Sequence, residues 1–164
     1  MVHFDQTARL LSSLKQRKKA MMNIDSIMTT DLITISPTEN LDTARTLMHK
    51  NHIHHLPVID DERKLVGLVT LSNVLAATES ILRDPDKRMH AKEINIKDVM
   101  VTDVATVDER ASMRQASLFL EKHHIGCLPV LTDGKLHGII TDTDFVSVAI
   151  NLLEQIEDTE PVED

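Results

Sequence analysis

The chain contains itself twice, and that repeat constrains its fold more than any other feature. Residues 28–61 align without gaps to residues 100–133 at an offset of 72, with 12 of 34 positions identical. Average composition would give roughly two or three. After one residue is dropped in a turn the offset becomes 71, and Lys64/Lys135, Leu65/Leu136, Gly67/Gly138 and Thr70/Thr141 continue the match. A unit of ~50–60 residues buries too little surface to be stable alone. The two copies are therefore expected to pack on each other.

Each copy carries the same element signals. Ile33 and Ile35, like Ala105 and Val107, alternate with polar neighbours as a half-buried strand does. Ser36-Pro37-Thr38-Glu39 predicts an N-cap, a first-turn proline and a capping-box Glu, with Asp108 as the cap in the second copy. An apolar helical stripe follows at Leu41, Ala44, Leu47 and Met48, repeated at Met113, Ala116, Phe119 and Leu120. Strands are expected at 56–59 and 128–131, then at 65–69 and 136–140, with Asp133-Gly134 as the clearer hairpin turn. A second helix starts at Thr70 and at Thr141. The predicted fold class is α/β (α+β): two β-α-β-β-α repeats packed sheet to sheet about a pseudo-twofold axis. The divisions are a basic amphipathic segment over 1–23, repeats over 24–79 and 96–153, a linker over 80–95 and an acidic tail over 154–164. Asp84-Pro85-Asp86 should interrupt a helix running out of the first copy.

Composition removes several function classes. Phe4, Phe119 and Phe145 are the only aromatics beside histidine, and the formal charge is −8. Base-stacking platforms are absent and a phosphate backbone is repelled, so no nucleic-acid partner is expected. No apolar run reaches the ~18 residues a bilayer crossing requires, and no membrane role is expected. No secretory signal opens the sequence and one cysteine makes no internal disulfide, which predicts a cytoplasmic protein. The basic end, net +4 over residues 1–24, and the acidic end are expected to be solvated, although Leu10, Leu11 and Leu14 suggest a helix that docks somewhere.

The residues Ile53-His54-His55-Leu56-Pro57-Val58-Ile59-Asp60 and Gly67-Leu68-Val69-Thr70-Leu71-Ser72-Asn73 have counterparts in the second copy. These are Ile125-Gly126-Cys127-Leu128-Pro129-Val130 and Gly138-Ile139-Ile140-Thr141-Asp142-Thr143-Asp144. With the openings Ile27-Met28-Thr29-Thr30 and Val99-Met100-Val101-Thr102, the chain resembles a tandem pair of cystathionine-β-synthase (CBS) domains, a Bateman module, of the stand-alone bacterial type. The resemblance spans about residues 24–153. It implies a non-catalytic regulatory module that senses an adenine nucleotide or adenosyl compound in a cleft between the two domains. No cofactor is required; AMP, ADP, ATP or S-adenosylmethionine is the implied ligand. It also implies a homodimer whose four repeats form a disc, and an unidentified regulated protein.

Site residues follow partly from chemistry and partly from that resemblance. Thr141 stands where a strand meets a helix N-terminus, a place whose free N–H groups favour phosphate. Asp144 offers two acceptor oxygens to a ribose diol. Thr-x-x-Asp is equally a capping sequence, sufficient by itself to start a helix. The resemblance implies ribose contact at Asp144, with Ile140 and Thr143 beside it and Thr70, Ser72 and Asn73 as their counterparts. Asn73 loses the charge-assisted acceptance that Asp144 offers, so the Thr141–Asp144 site is expected to bind more tightly. The resemblance further implies a base pocket at Thr34 and Ile35 or at Thr106 and Val107, and phosphate contact at His54, where the second copy has Gly126.

Metal binding by His49, His52, His54 and His55, with His123, His124 and His137 in the second copy, is the enzyme alternative. Two of these end a helix and two point to opposite sides of a strand, so no regular ligand spacing exists. No metal site is expected. The remaining alternative is an interaction protein in which the Thr-x-x-Asp and Thr-x-x-Asn sequences are only caps. Cys127 is expected to be a small core residue.

Overall fold

The computed structural model describes residues 23–83 and 93–158. The basic opening segment, the Asp84-Pro85-Asp86 interruption and the end of the acidic tail lie outside the described residues. In chain order the regular elements are α1 (Leu41–Asn51), β1 (His55–Ile59), β2 (Leu65–Thr70), α2 (Leu71–Arg83), β3 (Val107–Asp108), α3 (Met113–His123), β4 (Cys127–Thr132), β5 (Lys135–Thr141) and α4 (Asp142–Glu157). Short 3-10 turns at Ile24–Ser26 and Ile96–Asp98 open the two copies. The sheets are β1-β2 and β3-β4-β5. In the first copy the expected opening strand is a single parallel bridge, Ile35 to Val58.

The chain divides into two compact units, and neither is a contiguous copy. One contains, of the described residues, 31–83, 93–106 and 131–137; the other contains 23–30, 107–130 and 138–158. Each unit therefore holds one copy's helices together with the other copy's opening segment. The first unit's core is Ile35, Leu41, Ala44, Met48, Leu56, Val58, Val69 and Val74 from the first copy, with Ile96 from the opening of the second. Ile24, the counterpart of Ile96, is fully buried in the other unit, whose core holds Ala116, Leu120, Leu128, Val130 and Ile140.

The exchanged openings are held by paired backbone bonds and by glycine. Val101 and Leu68 exchange two N–H to C=O bonds of 2.9 Å, and Thr29 and Ile139 do the same. A Cβ on Gly67 would stand 2.5 Å from Met100 Sδ and 3.0 Å from the Val101 carbonyl oxygen. On Gly138 it would stand 2.8 Å from Met28 Sδ and 3.1 Å from the Thr29 carbonyl oxygen. The missing side chain is what lets each opening lie against its strand.

The first helix of each copy starts later than the sequence signals predict. Ser36 does not cap: its hydroxyl pairs with Thr38 Oγ1 at 2.9 Å and its carbonyl accepts from Glu39 N–H, closing a turn around Pro37. The cap is Asn40, whose Oδ1 accepts from Thr43 N–H at 2.9 Å. Asp108 likewise makes a side-chain turn, accepting from Arg110 N–H at 2.9 Å, and Ser112 caps α3 in a reciprocal box with Gln115. Pro37 and Asp108 each suit a turn as well as a first helical turn. The bonds from Leu41 N–H to Ile94 O and from Ile24 N–H to Ala111 O add a non-local reason for the later start. The second helices begin one residue after Thr70 and Thr141, as the sequence requires of caps.

Candidate ligand site at two helix N-termini

β5 and β2 each end in a threonine at a helix entrance, because an apolar strand gives way there to a Thr-x-x-(Asp/Asn) box. In the second copy Asp144 Oδ2 accepts from Thr141 N–H at 2.7 Å and from Thr141 Oγ1 at 2.9 Å. In the first, Asn73 Oδ1 accepts from Thr70 N–H at 2.9 Å and from Thr70 Oγ1 at 2.7 Å, while Asn73 N–H donates to Thr70 Oγ1 at 3.2 Å. The two boxes match atom for atom up to the outer group. That group is a second carboxylate oxygen in Asp144 and an amide nitrogen in Asn73.

The residue before each β1-type strand locks the same helix end. His54 O accepts from Leu71 N–H at 2.9 Å, and Gly126 O accepts from Asp142 N–H at 3.1 Å. His54 thus stands beside the Thr70–Asn73 box with an exposed side chain. Gly126 leaves the corresponding place beside Thr141 open. One box has the imidazole and no carboxylate; the other has the carboxylate and no imidazole.

The first turn of α4 is not the open anion site that a free helix N-terminus would be. Asp142 N–H is spent on Gly126 O, and Thr143 N–H donates to Asp142 Oδ1 at 2.8 Å. Asp142 and Asp144 also place two acids in that turn, where they satisfy the helix dipole themselves. A phosphate there would compete with both. This corrects the expectation of free donors at Thr141. The arrangement suits a group that donates hydrogen bonds, such as a sugar hydroxyl, better than one that only accepts them.

The remaining candidates are dispersed. Ile140 is fully buried and Ile35 is 3% exposed. Ile35 also spends its N–H on Pro57 O and accepts from Ile59 N–H. Thr143 and Ser72 are exposed, and Thr34 and Val107 are half-buried. Thr106 borders a cavity of about 230 Å³ together with Lys64, Gly67, Thr102, Val104 and Leu131, all of one compact unit. That volume lies below the ~300 Å³ at which whole-ligand pockets usually begin. Lys64 and Thr102 belong to the repeated pattern but carry no site chemistry in it, and their approach to Thr106 follows from the placement of the second copy's opening, which local sequence does not announce.

Among the described residues no group of three or more His, Cys, Asp or Glu side chains could hold a metal ion. None of their helices is long and apolar enough to cross a membrane. Cys127 is buried, and burial, with the Asp142 carboxylate as a second cause, pushes its thiol up to about 12. It is not a nucleophile at neutral pH.

The sequence pattern of the CBS domain matches residues 24–80 and 96–151. A crystal structure of a Vibrio cholerae protein provisionally assigned to acetoin utilization is similar at 40% identity and TM-score 0.71, over 86% of this chain and 99% of that one. CBSX2, a CBS-pair protein of Arabidopsis thaliana solved in complex with AMP, is similar at 28% identity and TM-score 0.68, over 80% of this chain and 98% of its own. The uncharacterized protein MJ1404 of Methanocaldococcus jannaschii is 32% identical over 79% of this chain, which spans 32% of that relative's length.

Proposed function

Since this chain belongs to the CBS-domain family, we propose that it is a non-catalytic regulatory module that binds an adenine nucleotide or related adenosyl compound. The observation that carries this reading is the Thr141–Asp144 box, whose second carboxylate oxygen makes no hydrogen bond among the described residues. A ribose diol can donate to that oxygen while the other keeps its cap. The 28%-identical relative solved with AMP supports the ligand class. In this reading Asp144 holds the ribose with Thr141 and Thr143 beside it, and at the other box His54 contacts phosphate. Thr70, Ser72 and Asn73 make the weaker site. The base pocket lies at Thr34, with the buried Ile35 behind it, or at Thr106 and Val107. The functional form is a homodimer of four repeats, and the ligand acts by favouring one of its geometries.

The completeness of both caps favours a second reading, an interaction protein that binds no nucleotide. Calorimetric titration with AMP, ADP, ATP and S-adenosylmethionine separates the two. Heat and a thermal shift with at least one ligand are expected, and silence with all four selects the second reading. With no Trp or Tyr in the chain, a purine carried through purification would dominate absorbance near 260 nm.

A further inference from the structure

Two methionines stand where the exchanged openings meet the strands that receive them. Met100 Sδ lies where only glycine leaves room, since a Cβ on Gly67 would stand 2.5 Å from it, and Met28 Sδ lies against Gly138 in the same way, at 2.8 Å. Met100 also packs against the first unit's core. Yet both methionines are half-buried, and the residues that follow them, Thr29, Thr30, Val101 and Thr102, are exposed. Next to each sulfur, one reciprocated backbone pair holds the opening to its strand, Val101 with Leu68 and Thr29 with Ile139. Each of these contacts lies within one compact unit.

A thioether suits this place because it is unbranched, polarizable and needs no hydrogen bond. Its sulfoxide does not. Hydrogen peroxide transfers one oxygen atom to Sδ: a sulfur lone pair forms the S–O bond as the O–O bond breaks, the sulfur loses two electrons and the peroxide leaves as water. The new oxygen only accepts hydrogen bonds. The nearest polar atoms of the openings are acceptors too, the Val101 and Thr29 carbonyl oxygens, 3.0 and 3.1 Å from the two Cβ positions. The N–H groups of Val101, Leu68, Thr29 and Ile139 are already spent on the reciprocated pairs. An acceptor packed without a donor is costly, and water supplies one only where the opening lifts. We propose that Met28 and Met100 are oxidant-sensitive modification sites whose sulfoxides release the openings from β5 and β2, a change that reduction reverses. Thr102, Val104 and Thr106, which follow Met100, border the cavity of about 230 Å³ beside Gly67, so oxidation of Met100 dismantles that cavity.

Hydrogen peroxide added to the full chain tests this, with peptide mass spectrometry to place each oxygen and hydrogen exchange to read the two joints. Met48, 2% exposed in the core, is the protected reference, and Met113, half-buried on α3, controls for oxidation elsewhere. Met28 and Met100 are expected to take up oxygen about tenfold faster than Met48. The amides of Leu68, Val101, Thr29 and Ile139 should then exchange about tenfold faster, and methionine sulfoxide reductases should restore slow exchange. Met28→Leu/Met100→Leu should make these amides indifferent to peroxide, whereas Met113→Leu should not. If the double variant fails to fold, Met100→Gln, which sets a polar amide in the sulfur's place, should speed exchange at Leu68 and Val101 without peroxide; unchanged exchange there overturns the proposal. So does protection of Met28 and Met100 equal to that of Met48. Oxidation that leaves the four amides unchanged, or a loosening that persists in the Leu variant, overturns it as well.

Discussion

The two helix-entrance boxes have the same backbone and the same internal hydrogen bonds, and they differ in what they show the solvent. Thr70–Asn73 presents an amide next to His54; Thr141–Asp144 presents a carboxylate oxygen next to Gly126. The shared part is what a helix N-terminus needs in order to form, and the differing part is what a ligand would meet. Duplication has thus kept the scaffold and left the outward chemistry to diverge. The exchanged openings follow the same pattern, with matched backbone bonds and unmatched tightness around Gly67 and Gly138.

The largest effect should come from breaking the exchange itself. Ile96→Ala and Ile24→Ala each remove a fully buried side chain and should cost about 2–5 kcal/mol of unfolding free energy. Hydrogen exchange sharpens the comparison: Ile96→Ala should expose amides of β1 and β2, which belong to the other copy. Faster exchange confined to the second copy would contradict the division into units. Next come the glycines. Gly67→Ala should lower stability by about 1–3 kcal/mol and Gly138→Ala by less, in line with their clearances; urea midpoints measure both, and the reverse order would count against the clearances as the cause.

The boxes follow. Asp144→Ala should weaken binding of an adenine nucleotide by tenfold or more, about 1.4 kcal/mol, whereas Asn73→Ala should change it less than about threefold. Titration calorimetry on both variants decides this, and equal losses would remove the asymmetry. The smallest effect concerns a strand position that differs between the copies, His55 in one and Cys127 in the other. An acid whose folded pKa is raised keeps its proton while the unfolded chain loses it, so stability is intact below about 9 and falls as pH rises toward about 12. The loss should be about 1 kcal/mol near pH 9.5. Cys127→Ala should flatten this slope relative to the parent in alkaline denaturation curves, and an unchanged slope would rule Cys127 out as its source.

What the sequence reveals here depends on distance along the chain. Leu41, Ala44 and Met48 lie on one helix face because of a spacing that sequence displays directly, and Thr141 with Asp144 reads as a box because three residues separate them. The cap at Asn40 is less legible. Ser36-Pro37-Thr38-Glu39 satisfies every local rule for a helix start, yet Leu41 N–H finds its acceptor at Ile94, more than fifty residues away. The exchange of openings has no periodic signature, because Ile24 and Ile96 would look alike whichever copy buried them. Thr106 was legible as a candidate and Lys64 was not, since only the transferred opening brings them to one cavity.

Cutting the chain in the linker would therefore not release two small proteins. Each fragment would keep an opening made for the other's strand and lack the one made for its own, so the halves should recover structure only when mixed. The same reasoning reaches back before the duplication. A single-repeat ancestor could complete its core only by lending its opening to a second molecule and accepting one in return. Fusion of two such genes would have converted that reciprocal dimer into one polypeptide, freeing each half to change its outward chemistry without losing its partner.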